Sequence, residues 1–226
     1  MLRRPLLRRL AYIRRNRCSG LLGALGLFIL VSPLLAGSPI GAMALAASLL
    51  VILVLAVWAL HVRRPFVWAL SALAFITVDV LVADRMGAVW IRPLALAVIA
   101  VFLGTVTVAL LRYVLDRRPI TTDKVFGAVA AYVLIAFSFA SLFGLLQVFQ
   151  PDAFHAAIGR GPDGRLAWPD LMYFSFTVLT STGFGEITPG SHMARNLVVI
   201  EQILGVMYVA FLIARLANMY GSRQMR

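Results

Sequence analysis

Charge is scarce in this chain, and acid scarcer still. Of 226 residues only 13% are charged, and nine Asp and Glu stand against 21 Lys and Arg. A soluble domain is about a quarter charged and about half apolar, whereas 62% of this chain is apolar and its mean hydropathy is +0.92. A soluble single domain and a disordered chain are thereby excluded. Cysteine occurs once, at Cys18, so no intramolecular disulfide can form and a disulfide scaffold is excluded too. Cys18 adjoins a basic run, which fits either a palmitoylated thiol or a small residue at a membrane boundary. His61, His155 and His192 are scattered, with no metal-ligand spacing and no catalytic constellation, so no enzyme and no cofactor are expected.

What remains is apolar sequence in long runs. Residues 21–60 hold no ionisable group. A helix needs about 20 residues to cross the hydrocarbon core, so this run divides into two spans, near 20–36 and 42–60, at the turn-forming Ala36-Gly37-Ser38-Pro39-Ile40-Gly41. A third span is expected over 66–83 and a fourth over 93–111, opening on Pro93, a favourable first helical position. A fifth follows over 125–147 and a sixth over 194–216. Between these two lies a polar stretch, 150–168, and an apolar piece, 169–180, too short to cross and better read as re-entrant. The expected fold class is an all-α membrane protein with six transmembrane helices and a re-entrant helix. Its parts are a basic segment 1–19, a peripheral four-helix region 20–118, a pore region 119–220 and a short tail 221–226.

The net charge of +12 would suggest nucleic acid in a soluble protein, but here the cations fall in short runs between apolar stretches. That is the pattern of loops retained in the cytoplasm, and no nucleic-acid partner is expected. Seven Arg lie in the first 17 residues. Arg63, Arg64, Arg112, Arg117, Arg118, Lys124, Arg215, Arg223 and Arg226 share their side if there are six spans, leaving Arg85, Arg92, Arg160, Arg165 and Arg195 opposite. Both termini are therefore expected in the cytoplasm of a multi-pass cell-membrane protein, with 148–193 outside. A cleaved signal peptide over 1–40 is the weaker reading, because its apolar run continues unbroken into span two. Leu2, Leu6, Leu10 and Ile13 recur at helical spacing among the arginines, compatible with an interfacial helix on anionic inner-leaflet lipid or with a flexible basic flank.

The chemistry lies in Tyr173-Phe174-Ser175-Phe176-Thr177-Val178-Leu179-Thr180-Ser181-Thr182-Gly183-Phe184-Gly185-Glu186-Ile187-Thr188-Pro189. A short helix beginning near Pro169 and Asp170 would carry its acid at the positive end of the dipole and aim its negative end at the bilayer centre. The stretch that returns, Thr180 to Gly185, has two glycines two residues apart. Glycine permits backbone conformations that a Cβ forbids, so successive carbonyls can face one line and replace an ion's hydration shell.

These residues resemble the pore of tetrameric potassium channels, most closely the bacterial channels with one pore loop per chain, over about 125–220. The family's filter pattern T-V-G-Y-G-D stands here as Ser181-Thr182-Gly183-Phe184-Gly185-Glu186. The resemblance implies that Ser181 supplies a hydroxyl and a carbonyl at the inner end of the filter. It implies carbonyls from Thr182, Gly183 and Phe184, with K⁺ bound at these four positions as cargo. Gly185 would allow the outward turn, and Glu186 would brace the filter, with Tyr173 as its hydrogen-bond partner. Gly205, twenty residues after Gly185, falls where such channels carry a hinge glycine, and close packing is the other reading. Val206, Val209, Ile213 and Ala217 follow helical spacing and would line an inner cavity or else pack against span five. Glu201 is an acid within a span; such groups are functional or paired. It is read as supporting the filter near Thr177 or Thr180, or else as attracting cations. Asp79 is a second intramembrane acid, with Arg85 or Arg92 as candidate partner.

Four departures, Ser for Thr, Thr for Val, Phe for Tyr and Glu for Asp, together leave room for weaker discrimination between potassium and sodium. Span four holds no charge, Arg92 and Arg112 only bracketing it, so the arginine array of a voltage sensor is missing and steep voltage gating is not expected. No soluble domain is expected after Tyr220. One filter strand cannot enclose an ion, so a homotetramer is implied. The leading function is a passive potassium-selective channel. The alternatives are a weakly selective monovalent cation channel, a transporter-like subunit and a non-conducting scaffold; transporters of related design carry four pore repeats per chain, and no second such loop occurs here.

Overall fold

The structure is a computed structural model, and it describes residues 17–35, 51–52, 54–56, 92–116, 121–157 and 164–224. The expected span 66–83, most of span 42–60, the basic segment before Arg17 and the Asp79–Arg85 pair lie outside these residues. The described chain is mostly helical. Helices α1 (Arg17–Leu35), α2 (Arg92–Leu115) and α3 (Thr122–Phe149) are followed by strand β1 (Phe154–Ala156), helix α4 (Trp168–Leu179), strand β2 (Ile187–Pro189) and helix α5 (His192–Gln224). Four helices are long and apolar enough to cross a membrane: Arg17–Leu34, Leu96–Leu115, Thr122–Phe149 and His192–Arg215. Helix α4, of 12 residues, is not. The two strands, three residues each, are an addition to the all-α expectation.

The helix ends differ from those expected. Helix α5 continues through Arg215 to Gln224, well past 216 and through most of the expected tail. The reason is physical: a cation marks where the membrane ends, while arginine itself is a good helix former and nothing here breaks the hydrogen-bond ladder. Helix α2 likewise runs past 111 to Leu115, which places Arg112 in its last turn, against the negative end of the dipole.

The chain divides into two compact units, 1–138 and 139–226. In the first, Cys18, Leu21, Leu25, Phe28 and Ser32 recur at three- and four-residue intervals and are all buried. Leu27, Leu30 and Leu34 form the opposite, exposed face of α1. Phe28 meets Phe137 with ring centroids 5.4 Å apart. At Gly127 an added Cβ would lie 3.3 Å from both Cys18 Sγ and Val114 Cγ2, so the small residue lets α1 and α2 approach α3 closely. Asp123, in the first turn of α3, ties this end together. Its Oδ1 accepts the Cys18 backbone N–H at 2.8 Å, capping α1 from another helix, and its Oδ2 accepts the Tyr113 hydroxyl at 2.8 Å. The buried Lys124 donates from Nζ to the Asp116 carbonyl at 3.1 Å and lies 5.8 Å from the Tyr113 ring centroid.

In the second unit, Phe143, Phe154 and Phe174 pack mutually at 5.2 to 5.5 Å in tilted and edge-on geometry, fastening α3, β1 and α4 to one another. The buried Gln147 side chain clamps the backbone of Leu166. Its Nε2 donates to the Leu166 carbonyl and its Oε1 accepts the Leu166 N–H, each at 3.0 Å. Just beyond, the Ala167 N–H donates to Asp170 Oδ2 at 3.2 Å, which fixes the start of α4. Strand β1 pairs antiparallel with β2, Phe154 opposite Pro189 and Ala156 opposite Ile187. The Ala157 N–H extends the pairing to the Glu186 carbonyl at 2.8 Å. The consequence is topological: a chain that leaves at Ala157 returns to the same place at Glu186, so α4 and the non-helical segment 180–185 after it, the candidate filter strand, form a closed excursion.

Candidate functional site

Helix α4 positions the site because it stops. Pro169 lies at its first turn, where the missing N–H costs nothing, and its C-cap is Thr180 at φ −84°, ψ 0°. Beyond it the Thr182 and Gly183 N–H groups turn back to one acceptor, the Thr177 carbonyl, at 2.8 and 3.2 Å. In a trans peptide the carbonyl of residue i lies opposite the N–H of residue i+1. The Ser181 and Thr182 carbonyls therefore point the other way, off α4 and out of the protein body.

The dihedral angles continue this arrangement. Ser181, Gly183 and Gly185 have φ of +56°, +55° and +96°, while Thr182 and Phe184 between them do not have positive φ. Positive and negative φ thus alternate along 181–185, and a run of this kind can turn successive N–H groups to one face and carbonyls to the other, unlike a strand, where they alternate. Residues 181–185 are all exposed on the single chain. Among the described residues, none of their carbonyls accepts a hydrogen bond. Two glycines supply the left-handed angle freely; Ser181 adopts it at a cost.

Hydroxyls hold the strand from behind. Thr180 Oγ1 donates to the Phe176 carbonyl at 2.7 Å and lies 2.8 Å from Thr182 Oγ1. A carbonyl cannot donate, so the single Thr180 proton is committed to it, and Thr182 is the donor to Thr180. Thr177 Oγ1 donates to the Phe174 carbonyl at 2.8 Å. The Tyr173 hydroxyl donates to Glu186 Oε1 at 3.3 Å, and the Tyr173 ring stacks on Phe184 at 6.5 Å between centroids and 5° between planes.

Glu201 lies on the face of α5 that meets α4, and its hydrogen-bond partner is neither Thr177 nor Thr180. Both Thr hydroxyls donate to carbonyls of their own helix. It is the Ser175 hydroxyl that donates to Glu201 Oε1, and both residues have 0% exposure. Glu201 Oε2 has no partner among the described residues. One turn on, an added Cβ at Gly205 would lie 2.0 Å from the Leu179 carbonyl oxygen, so here glycine is demanded by close approach. Val206, Val209, Ile213 and Ala217 are exposed on the single chain.

Sequence reasoning did not single out Ser175, the Gln147 clamp or the β1–β2 pair. Ser175 carried no signal beyond a hydroxyl on an apolar helix, and a buried Gln in a span was the one available hint of the clamp.

Residues 130–222 match the model of a family described as ion channel. That match supports an ion-channel superfamily. Curated relatives are Protein LctB of Geobacillus stearothermophilus and Protein LctB of Bacillus caldotenax. Each is 27% identical over 119 residues, which is 52% of this chain and 88% of the relative. No solved structure matches the chain. The matched region begins in α3 and contains α4, the strand after it and most of α5, so the described site falls inside it. With the apolar helices, the match supports a multi-pass membrane protein of an ion-channel superfamily.

Proposed function

We propose that this chain is one subunit of a homotetrameric, passive potassium-selective channel of the cell membrane. The observation that supports it best is the alternation of φ at Ser181, Gly183 and Gly185, joined to the return of the Thr182 and Gly183 N–H groups to Thr177. On this reading α4 is the re-entrant pore helix, and the closed excursion between β1 and β2 is the pore loop entering and leaving on the outer side. Four copies about one axis place rings of Ser181, Thr182, Gly183 and Phe184 carbonyls around a dehydrated K⁺. The negative C-terminal end of α4 lowers the energy of a cation at the inner mouth. Gly185 lets the strand leave, Glu186 and Tyr173 brace the outer end, and Thr177, Thr180 and Glu201 support the strand from behind. Val206, Val209, Ile213 and Ala217 line the inner cavity, where an apolar ring closes the path by dewetting.

Both termini are cytoplasmic, anionic inner-leaflet lipids hold the basic N-terminal segment, and gating is not steeply voltage-dependent. The test is purification, reconstitution into liposomes or planar bilayers, and a reversal potential with potassium on one side and sodium on the other. A value near the potassium limit is expected. A second reading, a weakly selective cation channel, is favoured by Phe184, whose ring has a stacking partner in Tyr173 but no hydroxyl to fix it. It would give a reversal potential near zero, and no flux at all would overturn both.

A further inference from the structure

Glu201 is the only fully buried acid among the described residues, and its surroundings give it one donor, the Ser175 hydroxyl. The second contact on the same face of α5 is the backbone at Gly205, pressed on the Leu179 carbonyl. These contacts are in register. Glu201 and Gly205 are four residues apart on α5, and their partners, Ser175 and Leu179, are four residues apart on α4. Residues at i and i+4 lie on one helix face, a turn apart, so two successive turns of α5 are keyed to two successive turns of α4, one by a hydrogen bond and one by steric fit. Leu179 is two residues from Ser181, and the Thr177 carbonyl that orients Thr182 and Gly183 lies between the two keyed positions. A bend or slide of α5 at this level must therefore carry α4 and the base of the strand with it, or break the Ser175–Glu201 bond.

From this double register we infer that the Ser175–Glu201 hydrogen bond is a latch that holds the filter strand in its conducting form by tying α4 to α5, so that Glu201 and Ser175 are positioning residues for conduction. The inference rests on the proposed channel function. The latch acts at the filter, separately from the apolar ring of the inner cavity, and Gly205 serves it as a close-packed contact rather than a free hinge.

The test is single-channel recording of the reconstituted full-length protein, with open probability and potassium–sodium reversal potential read on the same patches. Glu201→Gln keeps an oxygen to accept the Ser175 hydroxyl and is expected to stay within twofold of the wild-type open probability. Glu201→Leu and Ser175→Ala are each expected to lower it at least tenfold, and the double variant no further than either alone, since both remove one bond. The reversal potential should not move in any of them. Wild-type open probability in Ser175→Ala, a loss in Glu201→Gln equal to that in Glu201→Leu, or additive losses in the double variant would overturn the latch. Ser175→Ala removes a single oxygen, so it carries the test if Glu201→Leu does not assemble. Failure of the channel reading is separately visible, as absence of selective flux in the wild-type protein.

Discussion

Substituting the three left-handed positions in turn separates what the dihedral angles do from what the side chains do. A Cβ at Gly183 or at Gly185 would meet nothing within 4 Å on the single chain, so space does not require glycine there and φ does. The two positions differ. Gly183, at +55°, falls inside the small left-handed region open to residues with a Cβ, roughly +50° to +70°; Gly185, at +96°, falls outside it. An L-residue in the left-handed region costs roughly 1–2 kcal/mol, which in the proposed ring of four copies makes about 4–8 kcal/mol for Gly183→Ala. Since every 1.4 kcal/mol is about tenfold, at least several hundredfold fewer of the proposed filters would hold the conducting form. Gly185→Ala must cost more, because its angle has no low-energy counterpart for alanine. Ser181→Gly works the other way: it relieves about 1–2 kcal/mol of strain per chain and returns roughly 0.5–1 kcal/mol as backbone entropy, so the conducting form should be kept. Potassium flux into liposomes and the potassium–sodium reversal potential together give the ranking. The expected order of damage is Gly185→Ala, then Gly183→Ala, then Ser181→Gly. Wild-type selectivity in Gly185→Ala, or greater damage from Gly183→Ala, would refute the argument from φ.

The remaining predictions concern bonds rather than angles. Gln147→Ala strands the buried N–H and carbonyl of Leu166, at roughly 1–3 kcal/mol for each group left unpaired, and should lower the melting temperature in detergent by several degrees; an unchanged melting temperature would show the clamp to be idle. Asp123→Ala removes the acceptor of both Cys18 N–H and Tyr113 hydroxyl, so thermal stability should fall while the reversal potential of the surviving protein stays put. Tyr173→Phe deletes one exposed bond of 3.3 Å but keeps the stack on Phe184. Less than about 1 kcal/mol is at stake, so a few-fold drop in open probability with unchanged selectivity is expected, and no change in either open probability or stability would dismiss the bond.

Much of the second unit was legible in the sequence because its rules act over a few residues. The short apolar piece at 169–180 became α4 over Trp168–Leu179, with Asp170 in its first turn as expected. The glycine pair pointed to backbone that a Cβ disfavours, and both glycines have positive φ. What escaped were contacts between segments far apart in sequence. Glu201 announced itself as an intramembrane acid, with Thr177 and Thr180 as its expected neighbours, and only the relative rotation of the two helices selects Ser175 as its hydrogen-bond partner instead. The Gln147 clamp joins residues 19 apart across a loop with no periodicity to betray it. The expected span 194–216 agrees with the apolar stretch His192–Arg215, but hydropathy reports where the solvent changes, whereas a helix stops where its hydrogen bonds do, and at Arg215 the first happens without the second.

Ser181 shows how these two kinds of information meet. Nothing in a serine advertises a left-handed angle, and the sequence reading placed conformational freedom on the glycines alone. Yet the alternation requires a third left-handed residue, two before Gly183, if the first carbonyls are to face the same way as the rest. What holds Ser181 there is the return of the Thr182 and Gly183 N–H groups to a single carbonyl at Thr177, with the Ser181 N–H itself taken by Val178 at 2.9 Å. A net hydrogen bond contributes roughly 0.5–1.5 kcal/mol, so three of them outweigh the roughly 1–2 kcal/mol of strain at one residue. The glycines set the outer part of the strand by lacking a Cβ, and the end of α4 sets the inner part by the bonds it offers. The side-chain hydroxyl of Ser181 is therefore not what keeps its own backbone in place, which on the proposed channel reading leaves that oxygen free to face the ion path.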